Sequence, residues 1–163
     1  MSNAYLYRMP SGIPGDVSRA SQSTIESGFF NPSAPFSAYG LPGKIVNGQF
    51  VPLQAGDTNA VVYGFLVRPY PTTGANPSDP IGTSVPPTSG VCNILRRGYL
   101  TVVNQAGTPS LNSQVYSRVA TPSGSKTIGD IEAASDTTNT IALNAVFQNA
   151  GDASGNVEIA YNI

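Results

Sequence analysis

Asp130, Glu132 and Asp136 form the closest acidic grouping in the sequence. Paired carboxylates can supply the acid and base of glycoside cleavage, or oxygen ligands for calcium. If this stretch is extended, a spacing of two puts Asp130 and Glu132 on one face of a strand. They stand among Ala, Ser and Thr, without the glycine-bearing ligand loop of calcium modules, so the sequence reads as a solvated face. Lys44 and Lys126 are isolated, and neither sits in a phosphate-cradling loop or a Ser-x-x-Lys motif. The chain has no histidine, which excludes Ser-His and Cys-His nucleophiles and every imidazole metal site. Cys92 is the only cysteine, so no intrachain disulfide or cysteine zinc cluster can form, and it reads as a small buried residue of a strand. No enzyme signature, metal site or cofactor site is expected.

Charge points the same way. Only 10% of the 163 residues are charged, 8 basic against 9 acidic, where soluble domains carry about a quarter. Nucleic-acid binding draws on clustered positive charge, and the one adjacent basic pair is Arg96-Arg97. These two are read either as surface residues flanking a strand break or as bidentate anchors to carboxylates or carbonyls across a protein interface. A sparsely charged surface with a net charge of -1 lacks the repulsion that keeps domains apart. The longest nearly continuous apolar run, from Ala60 to Val67, contains Gly64 and is far short of the ~20 residues that cross a bilayer. The opening after Met1 lacks the charged-then-apolar pattern of a secretory signal. A soluble protein touching neither membrane nor nucleic acid is expected, with association among proteins as its business.

The elements that must position such contacts are strands. Fourteen prolines and 17 glycines oppose long helices. Residues 1–43 read as an extended arm, punctuated by Pro10, Pro14, Pro32, Pro35 and Pro42, with one possible strand from Val17 to Ile25. Phe29, Phe30, Phe36, Tyr39 and Leu41 must lie against something, either the arm's own domain or a neighbouring subunit. Residues 44–163 read as a β-sandwich domain. Asn47-Gly48 between apolar pairs predicts a hairpin with a type I′ turn. Ala60 to Arg68 predicts a strand covered on both faces, in which Gly64 marks a bulge or close backbone approach. Thr72 to Gly90, rich in Pro, Ser and Thr, predicts a long surface loop. Val91 to Val103 predicts two strands around Arg-Arg-Gly or one long bent strand, Gln114 to Ala120 a half-buried strand, and Ile128 to Ala133 a short one. Ile141 to Gln148 and Asn156 to Tyr161 complete the set. Many short strands with Gly/Pro turns imply an all-β fold, a β-sandwich or barrel.

Several stretches resemble the structural cement, or capsid decoration, proteins of tailed bacteriophages. They are Met9 to Arg19 (MPSGIPGDVSR), Ala38 to Val46 (AYGLPGKIV), Tyr63 to Thr72 (YGFLVRPYPT), Leu95 to Tyr99 (LRRGY) and Gly155 to Ile163 (GNVEIAYNI). The resemblance spans almost the whole chain and includes no catalytic signature. It implies a non-enzymatic virion protein with a β-sandwich or jelly-roll fold, made in the host bacterial cytoplasm, that sits on the outer capsid surface and staples neighbouring major capsid protein subunits against the pressure of packaged DNA. Such proteins commonly act as dimers or trimers of identical copies. Arg8, Arg19, Arg96 and Arg97 are then the expected polar anchors, with Phe29 and Phe30 in the partner-binding arm. The alternative is a head-fibre or tail accessory protein recognising a host glycan or protein. That role favours exposed aromatics, and the chain has eight tyrosines but no tryptophan. A carboxylate glycosidase stands third, and would need an acidic pair to converge in a cleft.

Overall fold

The computed structural model describes residues 12–69, 78 and 83–163. Among these residues there are nine β-strands, three short 3-10 turns and no α-helix. The strands are β1 (Thr24–Phe29), β2 (Pro42–Val46), β3 (Gln49–Pro52), β4 (Gly64–Val67), β5 (Val91–Ala106), β6 (Gln114–Arg118), β7 (Ile131–Glu132), β8 (Thr140–Phe147) and β9 (Asn156–Tyr161). The all-β expectation holds, and the Arg-Arg-Gly stretch lies inside one continuous strand, β5. Asn47 and Gly48 both have positive φ (50° and 77°) between β2 and β3, as the expected hairpin requires.

β5 belongs to two groups of strands. Its first half lies between β1 and β4, and β4 continues through β2 to β3. A parallel bridge from Phe30 to Phe50 brings the end of β1 back to β3. The second half of β5 pairs with β9, followed by β8, β6 and β7, and β7 returns to β5 in parallel at Asn104 and Ala106. That series closes a small barrel, the arrangement that removes exposed strand edges. The nine strands of the described residues are therefore joined in one network, and the closed series is the barrel among the two architectures that the strand pattern implied.

Each ring of strands has its own core. Phe30, Phe36, Tyr39, Phe50, Leu66, Cys92 and Ile94 fill the first, with the rings of Phe36 and Phe50 stacked at 4.9 Å. Leu100, Val102, Val115, Leu143, Phe147, Val157, Ile159 and Tyr161 fill the second, joined by Phe65 and Leu95. Strict alternation along β5 cannot put both Leu95 and Leu100 on one side. The pairing with β1 shows how this happens: Thr24 faces Arg97 and Ile25 faces Leu95, so Arg96 is an extra residue. Gly98 follows with φ 132°, and a side chain there would collide with Ser23. The bulge and glycine turn β5 from one core to the other.

This pivot also accounts for a misread element. Val17 to Ile25 is not one strand. Val17 bridges Leu100, residues Ala20–Gln22 make a 3-10 turn, and only then does β1 begin. The turn lies where the pivot interrupts the edge of β5 and Ser23 occupies the space beside Gly98. Ala60 to Arg68 is likewise shortened to Gly64–Val67, preceded by a 3-10 turn over Asn59–Val61. Gly64 is the close backbone approach foreseen, because a Cβ there would meet the carbonyl of Leu95.

A second correction concerns the acidic grouping. Glu132 is only 1% exposed and Asp130 8%, so this is no solvated face. The Arg118 guanidinium holds the Glu132 carboxylate with two bonds, Nε to Oε1 at 2.5 Å and Nη2 to Oε2 at 3.1 Å. Arg118 also donates to Asp136 Oδ2 at 2.9 Å and to the carbonyls of Ala120 and Thr121. Lys126 Nζ lies 3.6 Å from Glu132, and Asp130 accepts the backbone N–H of Thr127. Burial of the carboxylate is tolerable because nearly every site of this pair is bonded. The Arg118 bond holds the Asp136 carboxyl below its ordinary range.

Replacing Glu132 with Gln should destabilise the fold by up to about 3–5 kcal/mol in chemical denaturation, since Arg118 loses its buried counter-charge and keeps only the part-exposed Asp136. Asp136→Asn should lower stability at neutral pH. The folded state holds this carboxyl below its ordinary value of 3.8, so the wild-type advantage should be complete above that pH and vanish as the pH falls through the folded value. Gly98→Ala should cost at least about 2 kcal/mol from strain and the collision with Ser23. Gly48→Ala, in open space, should cost no more than about 1–2 kcal/mol.

Candidate partner-binding surface

The described part of the proline-rich segment lies along β5. Gly15 and Asp16 exchange backbone bonds with Thr101, Ser18 donates to Tyr99, and β1 pairs with the first half of β5. Arg68, 7% exposed, fastens this segment from below by donating to the Pro14 carbonyl at 2.9 Å while its guanidinium lies over the Tyr39 ring. Gly15 and Gly40 permit the approach, since a Cβ at either would press on neighbouring backbone or side chains.

The six expected contact residues separate into distinct roles. Arg8 lies outside the described residues. Arg19 forks onto Glu158 of β9 at 3.1 and 2.9 Å and lies over the Tyr99 ring, while Ser18 donates to the same carboxylate. Arg96 stacks on Tyr63 at 3.4 Å, donates to the Tyr63 carbonyl and pairs with Glu26 at 3.5 Å. Both arginines thus tie the first strand and its preceding turn to the body of this chain. Phe30 is corrected outright as an outward contact: at 4% exposure its ring belongs to the first core.

Phe29 and Arg97 remain outward. Phe29 is 60% exposed and faces Val91, itself 62% exposed, across the β1–β5 ladder. Ile25 shares the face of Phe29 by strand alternation and is 45% exposed. This apolar row of Ile25, Phe29 and Val91 was not read from sequence, although the i, i+2, i+4 spacing of Ile25, Ser27 and Phe29 carried the signal. Arg97 lies at the other end of the ladder, opposite Thr24. Of the loop from Thr72 to Gly90, only residue 78 and residues 83–90 are described; there Ser84 accepts from Arg68 at 2.6 Å and Val85 is exposed. Among the described residues no group of three His, Cys, Asp or Glu side chains could hold a metal ion. The carboxylates of the acidic grouping are engaged by Arg118, Lys126 and backbone.

The described sheet thus carries an exposed apolar row, Ile25, Phe29 and Val91, and an outward Arg97. No curated protein matches the sequence. A chain in the solved structure of the capsid of Myoviridae phage XM1 shares the fold, with a TM-score of 0.70 and 21% sequence identity over 99% of this chain and 97% of that one. The family described as XM1 gp53 minor capsid protein matches residues 1–161. With that match running through both rings of strands, the chain belongs to the XM1 gp53 minor capsid protein family and is a capsid-associated structural protein of a phage virion.

Proposed function

We propose that this protein binds the outer surface of the assembled capsid and staples neighbouring major capsid protein subunits, stabilising the DNA-filled head. The observation that carries the reading is the exposed row of Ile25, Phe29 and Val91 on the strand ladder of a minor capsid protein. Three large apolar groups on a rigid sheet favour burial against another protein surface. A ligand that binds only the expanded shell stabilises it by mass action, and many copies acting together multiply a modest individual affinity. The role is mechanical and includes no catalytic step. Copies of this chain pairing as dimers or trimers would widen the span of each staple, and the segment within residues 1–43 supplies the contact face.

Heads assembled without this protein should form, yet release DNA on heating or osmotic shock at milder conditions than complete heads. Adding the purified protein back should restore them. Electron microscopy of the virion should show its density at many lattice positions outside the shell. Equal resistance of the two kinds of head, or density confined to the tail or one vertex, would overturn the proposal. Phe29→Ser should weaken rebinding to such heads by about tenfold or more, the loss of an aromatic anchor, with little effect on the fold of the isolated chain.

A further inference from the structure

The described cations are used almost entirely within the chain. Arg19, Arg96, Arg118, Lys44 and Lys126 each stand within 4.0 Å of a carboxylate oxygen. Arg68 donates to the carbonyl of Pro14 and to Ser84. Arg97 alone among the described basic residues has no hydrogen bond, ion pair or ring contact within the described structure, and it is exposed. It lies in a notch walled by Ser21 and Gln22 of the 3-10 turn, by Tyr99 and by Ile163. The pivot makes this notch: the turn Ala20–Gln22 stands off β5 beside Gly98, and Ser23 is fixed there by its bond to the Arg19 carbonyl at 2.9 Å.

An arginine on a strand, flanked by a hydroxyl and a carboxamide, is a receptor for a planar, doubly accepting anion. The guanidinium forms two parallel N–H bonds, and Ser21 and Gln22 can donate to remaining lone pairs. Of the neighbouring charges, Arg19 over the Tyr99 ring is already paired with Glu158. We propose that Arg97 is the polar anchor for a carboxylate side chain presented by the capsid lattice, seated in this notch. The assignment rests on the proposed binding to the capsid exterior and names the chemistry of one contact within it. It is a contact separate from the apolar row, because Thr24, which faces Arg97, alternates with Ile25 along β1, and an oriented ion pair fixes register where apolar contact alone permits sliding.

The test uses purified full-length protein and heads assembled without it, with bound copies measured over a range of protein and salt concentrations. Arg97→Ala should weaken binding at least tenfold, Arg97→Lys should retain part of the affinity, and Arg97→Glu should bind more weakly than Arg97→Ala. Wild-type binding should weaken with salt more steeply than that of Arg97→Ala. Thermal unfolding of all three variants should match wild type, because Arg97 holds nothing among the described residues. Wild-type affinity for heads in Arg97→Ala, while the native protein binds normally, overturns this inference and leaves the capsid reading intact. A lowered unfolding temperature that parallels the binding loss overturns it in favour of a structural role. Failure of the native protein to bind the outer surface overturns both readings.

Discussion

Everything in this fold depends on β5 remaining one strand while serving two cores. A strand that alternates strictly shows each core only every second residue, and Leu95 and Leu100 have opposite parity. The extra residue at Arg96 and the positive φ of Gly98 reconcile them. Once that turn is made, partners are dictated on both sides: β1 and β4 before it, β9 and the Val17 bridge after it. Ser23 packs where a side chain at 98 would stand, so the looping of the preceding turn away from the sheet is another effect of the same glycine.

The charge deficit acquires a specific meaning in this setting. Few charged groups are present, and nearly all those described are committed to holding one segment against another. Arg19 and Glu158 connect the segment before β1 to β9, Arg96 and Glu26 brace β1 against β5, and Lys44 and Asp57 span the first sheet. Arg118 and Glu132 fix β7, a strand of two residues that could not otherwise hold the closure of the barrel. Among the described residues, the surface left over is polar and sparsely charged, interrupted by the apolar row and Arg97. Such a surface adheres by shape and a few directed bonds, with little long-range attraction or repulsion.

Much of this was legible beforehand. Asn47-Gly48 dictates its turn through backbone preference alone, and β6, β8 and β9 follow from local apolar pattern. The family resemblance rested on phrases spread along the chain, and the family is confirmed over residues 1–161. What local pattern could not convey was pairing between distant segments. Glu132 looked solvated because its neighbours are small and polar, whereas its burial is decided by Arg118, brought alongside by β6. Phe29 and Phe30 are indistinguishable by type, and only the register opposite Val91 and the bridge to Phe50 turn one outward and the other into the core. Arg96 and Arg97 divide in the same way: the bulge directs Arg96 to Tyr63, while Arg97 is left facing the notch.

The placement of β9 bears on how the protein is made. The second half of β5 leaves the ribosome well before its main partner, Asn156–Tyr161, from which β6, β7 and β8 separate it in the chain. Until then the barrel stays open, with an apolar strand edge available to other chains. Pairing across such sequence distance is slow to form. A copy that stops short of β9 keeps an unclosed barrel and an exposed second core, so the arrival of β9 is itself the step that shuts this edge against other chains.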